Sequence, residues 1–198
     1  MVGPPGAGVT SYILQLVQPG ILDEDLMEHY NGGKTFDTQV QFGGTIRKLR
    51  LRDVLVDDEE KRFRYLCNDF LDRKPQVVVW MAPGRPEILS EGDRPEYELF
   101  RKYVQFLMAD RYPHLDGKEV KKKRPKALIV LVNHMDEYER LWQVNFFDFL
   151  HHYRSPLAYI RKNYKQVRVI TRPCCAWANV GVRDPLMDVM MDLDIEKV

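Results

Sequence analysis

Glycines dominate the start of the chain at a spacing that suits the binding of phosphate. The stretch Gly3-Pro4-Pro5-Gly6-Ala7-Gly8-Val9-Thr10 follows the pattern GxxxxGK[ST], except that Val9 stands where the pattern has lysine. In such a turn, backbone N–H groups surround the phosphates, the lysine contacts them and the Ser/Thr hydroxyl binds Mg²⁺. The alternative, at about even weight for this motif alone, is a plain Pro/Gly turn before a helix. The residues predicted to contact phosphate are Gly3, Gly6, Ala7, Gly8, Val9, Thr10 and Ser11.

Three further stretches carry acidic, amide or small residues directly after a predicted strand. They are Arg52–Val56, Asn133–Asp136 and Thr171–Val182. Ligands bind outside the carboxyl ends of the strands in open α/β sheets, so these stretches are expected to meet at one edge. For Asp136 the alternative is a helix N-cap, because aspartate is favoured at that position.

In their order along the chain, these four stretches resemble the motifs of the Ras-like small GTPases, which have the P-loop GTPase fold. Asp53 matches the aspartate of the DxxG motif, which touches Mg²⁺ through water, and Val56 stands at its glycine. The position of the catalytic glutamine falls on Asp57 or Asp58, and neither is glutamine. Thr35 is the candidate for the Mg²⁺-binding threonine of the first switch, with Thr38 as the second choice. The resemblance thus implies Mg²⁺ ligands at Thr10, Thr35 and Asp53.

The same resemblance assigns the contacts to the base. In the NKxD motif, matched by Asn133-His134-Met135-Asp136, the aspartate accepts two hydrogen bonds from guanine, and His134 replaces the lysine. In the SAK motif, matched by Cys175-Ala176-Trp177, the Ala176 N–H would bind the guanine O6, and Trp177 replaces the lysine. The implied guanine contacts are Asn133, His134, Asp136, Cys175, Ala176 and Trp177. The implied cofactors are GTP or GDP and Mg²⁺.

The elements that must position these motifs alternate between helix and strand. The predicted fold is a three-layer, doubly wound α/β fold with a mostly parallel sheet and one antiparallel edge strand. Predicted strands are Thr38–Phe42, Thr45–Arg52, Val77–Met81, Ala127–Val132 and Val167–Ile170, with a Gly43-Gly44 turn between the first two. Predicted helices are Tyr12–Val17, Glu59–Asp72, Tyr97–Tyr112, Tyr138–Tyr153 and Pro185–Leu193.

Residues 1–198 are expected to form one small-GTPase-like domain. Only Met1 and Val2 precede Gly3, where the resemblance expects a central strand of about five residues. An upstream segment, or another part of the chain, is expected to complete that strand.

Composition limits the possible partners and compartment. The formal net charge of +1 gives no overall case for binding nucleic acid, and the longest apolar runs are too short for membrane insertion. Three cysteines, two of them adjacent, suit a reducing, cytoplasmic compartment rather than a disulfide framework. The basic run Lys121–Arg124 is expected to lie in a solvated loop, with binding to an acidic partner as the alternative.

The departures from the motifs define the functional prediction. Val9 removes a cation, Val56 crowds the γ-phosphate sensor, and no glutamine orients the attacking water. We expect a guanine-nucleotide-binding switch or sensor with weak or no GTP hydrolysis and an unidentified protein partner; no catalytic residue is assigned. One alternative is a nucleotide-free pseudo-GTPase that acts as an interaction scaffold without either cofactor. Another is a hydrolase completed by a partner's arginine.

Overall fold

Three parallel strands form the centre of the fold. The computed structural model describes residues 1–4, 6–17, 35–42, 45–52, 59–84, 95–113, 119–136 and 146–195. The strands are β1 (Thr35–Phe42), β2 (Thr45–Arg52), β3 (Val77–Pro83), β4 (Arg111–Pro113), β5 (Glu119–Lys121), β6 (Ala127–Asn133) and β7 (Arg168–Pro173). The helices are α1 (Val9–Val17), α2 (Glu59–Arg73), α3 (Pro95–Met108), α4 (Phe146–Asn163) and α5 (Asp184–Ile195).

The central sheet has the order β3-β6-β7, and both pairs are parallel. In its register, Val77 of β3 lies beside Ala127 of β6, which lies beside Arg168 of β7. β6 is buried at all seven positions, as expected for a strand that is covered on both faces. All three strands therefore end at one edge of the sheet, which also receives the glycine-rich turn.

Alternate side chains of the strands face two separate apolar layers. Trp80 and Val130 belong to a cluster that includes the inner faces of α2, α3 and α4. Met81 and Ile129 belong to the other cluster, which includes α1 and α5. Because side chains alternate across a strand, the continuous apolar runs of β3 and β6 can fill both layers. The predicted α/β architecture, with helices on both faces of a parallel sheet, is confirmed.

Val2 takes the place beside β3 where a further strand was expected. Its N–H donates to the Val79 carbonyl at 2.9 Å, and its carbonyl accepts from the Met81 N–H at 2.8 Å. These two bonds form an isolated parallel bridge to Trp80. The glycine-rich turn thus leaves the sheet directly at the edge of β3.

The longer of the two antiparallel pairs in the described chain is formed by β1 and β2, paired from Thr35↔Arg52 to Phe42↔Thr45. Within the described ranges this pair forms its own two-stranded sheet and does not join β3-β6-β7. The predicted Gly43-Gly44 turn lies outside the described residues.

Two predicted segments differ from the structure. The helix predicted to reach Tyr112 ends at Met108, and Arg111–Pro113 instead pairs with Glu119–Lys121 as β4 and β5. The helix predicted to end at Tyr153 continues to Asn163 through Pro156. Its apolar stripe of Phe149, Tyr153, Leu157 and Ile160 runs past the proline and buries all four side chains.

The remaining bounds shift by a few residues: α1 begins at Val9, α5 spans Asp184–Ile195, and β7 ends at Pro173. No helix in the described part of the chain has the length and apolar character needed to cross a membrane.

Candidate functional site

The glycine-rich turn, the residues after β6 and the residues after β7 meet at the carboxyl edge of the sheet. The turn is held by the Ala7 N–H, which donates to the Pro4 carbonyl at 3.2 Å. Gly6 and Gly8 have φ angles of +74° and +81°, which other L-residues rarely adopt. The sequence spacing of these glycines therefore encodes a real backbone requirement.

Helix α1 starts directly at the end of this turn. Its first hydrogen bond is donated by the Tyr12 N–H to the Gly8 carbonyl at 2.9 Å. The amides of Val9, Thr10 and Ser11 therefore form the first turn of the helix, where the backbone dipoles give a partial positive charge. This geometry suits an anion, as the sequence predicts. The hydroxyl residues Thr10 and Ser11 are half-buried there.

Asn133 connects all three segments with one buried side-chain amide. Its Nδ2 donates to the Ala7 carbonyl at 3.0 Å, and its Oδ1 accepts from the Ala176 N–H at 2.9 Å. The Cys174 thiol is a second donor to Oδ1, at 3.6 Å. A Cβ added to Gly8 would lie 2.1 Å from Asn133 Nδ2, so this glycine is required for the close approach.

His134 makes a second contact to the glycine-rich turn. Its Nε2 lies 3.1 Å from the Gly6 carbonyl, so the tautomer that is protonated at Nε2 donates there. Its backbone has a φ of +64°, which is unusual for a residue with a side chain. The residue that replaces the lysine of the NKxD pattern thus ties β6 to the turn.

Asp136 is exposed, and the Cys175 thiol lies near its carboxylate. Burial, followed by this acidic neighbour, raises the pKa of the Cys175 thiol to about 11. Burial also raises the pKa of the Cys174 thiol, and the electrostatic interaction with the neighbouring Cys175 is the second cause. Both cysteines therefore remain neutral thiols at physiological pH.

Residues 175–180 form a tight turn above the site. Cys175 and Val180 exchange backbone hydrogen bonds of 2.9 and 3.0 Å. Because the Ala176 N–H donates to Asn133, the amide that was expected to bind the guanine O6 already has an acceptor in this structure. Trp177 at the tip is 55% exposed, and its carbonyl accepts from Gln15 Nε2 at 3.2 Å.

Val9 lies where the pattern has its lysine, and its side chain is directed into the core. It is 6% exposed and packs in the cluster formed by α1, α5 and one face of the sheet. One of its methyl groups would be 3.1 Å from a Cβ added to Gly3, and the Met81 carbonyl would be 2.6 Å from the same Cβ. The loop is therefore lined here by apolar atoms instead of a cation, and Gly3 has no room for a side chain.

The structure describes only part of the predicted Mg²⁺ site. Thr10 lies in the first turn of α1, and Thr35 begins β1. Asp53, Val56, Asp57 and Asp58 lie outside the described residues, so the assignments made to them stay predictions. Among the residues that are described, no group of three or more His, Cys, Asp or Glu side chains could hold a metal ion.

Three residues that support the site were not assigned to it from the sequence. Gln15 is buried on α1 and holds the Trp177 carbonyl, while Cys174 donates to Asn133. The Tyr12 hydroxyl donates to the Val182 carbonyl at 2.5 Å, which joins α1 to the loop that precedes α5. A glutamine on the apolar face of a predicted helix was the only available signal, since the other two look like ordinary core residues.

Comparison with known proteins gives a distant match in structure alone. No protein family matches the sequence, and no characterised protein has a significantly similar sequence. The fold is similar to part of the crystal structure of the bacterial selenocysteine-specific elongation factor EF-Sec, with a TM-score of 0.50 and 12% identity. The match covers 99% of this chain and 28% of that one, so the chain spans about a quarter of that protein's length. At this identity the comparison shows that the chain shares, distantly, the fold of a translation elongation factor region.

Proposed function

We propose that this chain is a guanine-nucleotide-binding, GTPase-like switch or sensor with weak or no intrinsic GTP hydrolysis. One observation carries the proposal: the Asn133 side chain bridges the Ala7 carbonyl and the Ala176 amide. Three segments from distant parts of the sequence are thereby fixed at one edge of the sheet. The distant fold similarity to an elongation factor supports a nucleotide-binding, GTPase-like fold.

The phosphates of the nucleotide would bind at the turn from Gly6 to Thr10. The left-handed glycines and the first turn of α1 suit an anion through backbone amides and the helix dipole. The close approach of Asn133 to Gly8 rigidifies this turn before a ligand arrives, which lowers the entropic cost of binding. Mg²⁺, with Thr10, Thr35 and Asp53 as ligands, would neutralise phosphate charge.

Selectivity for the base would come from Asp136. Its carboxylate accepts hydrogen bonds from guanine N1–H and the exocyclic amine, whereas adenine offers no matching pair of donors. The neutral Cys175 thiol lies beside this carboxylate, at the start of the turn 175–180. His134 and Trp177 replace lysines at the base, and their rings offer surfaces for stacking.

Weak hydrolysis follows from the apolar interior of the turn. Phosphoryl transfer depends on positioning and on neutralisation of charge, and the buried Val9 supplies no charge. Losing one partner of a buried charge pair costs about 2–5 kcal/mol. The missing cation should therefore lower the affinity for the phosphates as well as the rate of hydrolysis. A partner that lends an arginine would supply the missing charge.

The alternative function, a nucleotide-free scaffold, is favoured by the same burial of Val9. A scaffold would need the base site to be closed or unused. Trp177, which replaces the lysine of the SAK motif, is large enough to fill that site, yet the residue is 55% exposed. The exposed position favours the nucleotide-binding proposal over self-occlusion by Trp177.

The first test is the nucleotide that the protein carries through purification. We expect GDP or GTP to be released on denaturation and to be identified by chromatography and absorbance. A folded protein that carries no nucleotide would support the scaffold instead.

A further inference from the structure

The edge of the sheet opposite the candidate site is rich in positive charge. Segments 73–76, 119–126 and 161–168 lead into β3, β6 and β7, and we call them together the basic pole. Eleven of their twenty residues are Lys or Arg, and only Glu119 is acidic. The whole chain has 30 basic and 29 acidic residues, so the rest of it is acidic on balance.

Backbone hydrogen bonds show that the three segments are adjacent in space. The Lys126 N–H donates to the Gln76 carbonyl at 2.7 Å, and the Arg168 N–H donates to the Lys126 carbonyl at 2.9 Å. The backbone groups of Gln76, Lys126 and Arg168 therefore form a row across the amino edge of the sheet, where neighbouring strands lie about 4.8 Å apart. The ring of Tyr164 lies 4.8 Å from the Arg124 guanidinium, which joins the second segment to the third.

Some cations of the pole have structural roles. Lys122 Nζ and Arg124 Nε donate to the Leu107 and Met108 carbonyls, each at 2.7 Å, and so cap the end of α3. Arg124 also pairs with Asp110 at 2.6 Å. The expectation of a solvated loop at Lys121–Arg124 is therefore wrong for the two inward residues, Lys122 and Arg124.

Other cations of the pole make no ion pair within the described chain that would stabilise the fold. Among the described residues, no ion pair is formed by the exposed side chains of Lys74, Lys121, Lys123, Arg161, Lys162 and Lys165. Cations at helix C-termini gain from the helix dipole, but the ends of α2, α3 and α4 do not require so many. This surplus carries a cost in mutual repulsion that a bound polyanion would remove.

We propose that the basic pole binds the phosphate backbone of single-stranded nucleic acid. The cations come from three segments and form an extended surface, which suits a chain of regularly spaced charges. Tyr159 is 47% exposed, and its hydroxyl lies 3.3 Å from that of Tyr164 at the same end of α4. Aromatic rings among cations offer stacking surfaces for unpaired bases. The net charge of +1, which gave no case for nucleic acid, averages over this asymmetry.

A membrane fits this surface less well. Peripheral attachment combines basic residues with apolar side chains that enter the lipid boundary. Among the exposed large apolar residues of the described chain, Trp177 and Val180 lie at the opposite edge of the sheet, while Tyr159, which carries a polar hydroxyl, lies near the end of α4 at the pole. An acidic protein would satisfy the charges, but it would leave the exposed ring of Tyr159 unused.

The test is binding of fluorescein-labelled 20-nucleotide oligouridine and oligothymidine, followed by anisotropy at several salt concentrations. The unmodified protein should bind both at low salt, with the logarithm of affinity falling linearly with that of salt. The double variant Lys123→Glu/Lys162→Glu should bind at least tenfold more weakly. Its salt slope should be smaller in magnitude by about 1.4, from about 0.7 per lost phosphate contact.

The matched control is Lys102→Glu/Arg154→Glu, which makes the same change in charge at exposed positions outside the pole. It should lower the affinity less than threefold and leave the slope unchanged. Circular dichroism should show that both variants are folded. The proposal is overturned if neither oligonucleotide binds, if the control matches the pole variant, or if GDP competes. Equal binding of 20-residue polyglutamate, or binding only to phosphatidylserine vesicles, would overturn it in favour of another anion.

Discussion

At the scale of single residues, the site depends on Asn133 more than on any charged group that is described. The side chain satisfies a buried carbonyl and a buried amide from two different loops, and it excludes a side chain at Gly8. Buried polar groups that lose their partners cost about 1–3 kcal/mol each. The amide is therefore a structural pin for the edge of the sheet as well as part of a predicted base contact.

Replacing Asn133 with alanine should lower the free energy of unfolding by about 2–4 kcal/mol, because Ala7 and Ala176 each lose a buried partner. Urea denaturation followed by circular dichroism measures this change. The control is Asn163→Ala, which removes an exposed 2.9 Å bond to the Tyr159 carbonyl and should cost only about 0.5 kcal/mol. Equal losses in the two variants would contradict the role of Asn133.

Gly8→Ala should destabilise the turn for two reasons: a φ of +81° and contact of the new methyl group with the Asn133 amide. The second reason predicts coupling between the two positions. The cost of Gly8→Ala, measured by the same denaturation, should fall by about 0.5–3 kcal/mol when Asn133 is already alanine. Strictly additive costs would show that backbone strain alone acts at Gly8.

At the scale of elements, the sequence predicts the strands better than the segment after α3. β3 and β6 are continuous apolar runs, so their burial and their parallel pairing follow from composition. The pair of β4 and β5 has only three residues in each strand, so the alternation around Tyr112 and Val120 is too short to indicate a strand. Its position depends on Lys122 and Arg124, which reach the carbonyls at the end of α3, and such tertiary contacts leave no periodic signal.

The candidate site shows the same division between local and tertiary signals. Motif spacing and glycine conformation are properties of the local sequence, and they led to Gly6, Gly8 and Asn133, which the structure brings together. The contact of Asp136 with guanine stays a prediction. The role of the Ala176 amide was assigned by resemblance, whereas the structure gives that amide to Asn133. Which acceptor an amide finds depends on how three distant segments pack, so no local pattern encodes it.

Lys122 gives a prediction for pH dependence at the end of α3. Burial, followed by the nearby Arg124 charge, lowers the pKa of Lys122 to about 8 in the folded chain, from a reference value of 10.5. Between these pH values the unfolded chain holds the proton that the folded chain has lost. The free energy of unfolding should therefore rise with pH from about 8 to 10.5, by at most about 1.4 kcal/mol per pH unit.

The measurement is the difference in unfolding free energy between the unmodified protein and Lys122→Met, taken from pH 7 to 10.5. Subtraction cancels the other titrating groups, while both variants keep an aliphatic stem between Phe70 and Phe106. The difference should shift in favour of lysine above pH 8. A difference that is constant over this range would mean that the pKa of Lys122 is not lowered.

At the scale of the whole molecule, the two edges of the sheet have opposite characters. The carboxyl edge carries a backbone-lined turn with an exposed carboxylate, Asp136, and the amino edge carries the basic pole. A nucleotide and a polyanion would therefore bind at opposite ends of the same strands. Long-range electrostatics would direct a polyanion away from the acidic remainder of the chain and toward the pole.

Hydrolysis of GTP depends on residues from several segments of the chain acting together, and we expect it to be slow. The rate of phosphate release from GTP under single-turnover conditions should not exceed the order of 10⁻⁴ s⁻¹ that an unaided small GTPase reaches. The reasons are the buried Val9 and the lack of a glutamine at Asp57 or Asp58. A rate that is tenfold higher without any added protein would show that another residue supplies the charge.

Calorimetric titration of the purified, nucleotide-stripped protein with GDP, GTP and ATP tests the central claim most directly. We expect both guanine nucleotides to bind at least a hundredfold more tightly than ATP, and Asp136→Ala to remove this preference while the protein stays folded. Equal affinity for all three nucleotides, or no binding of any of them to the folded protein, would contradict the account.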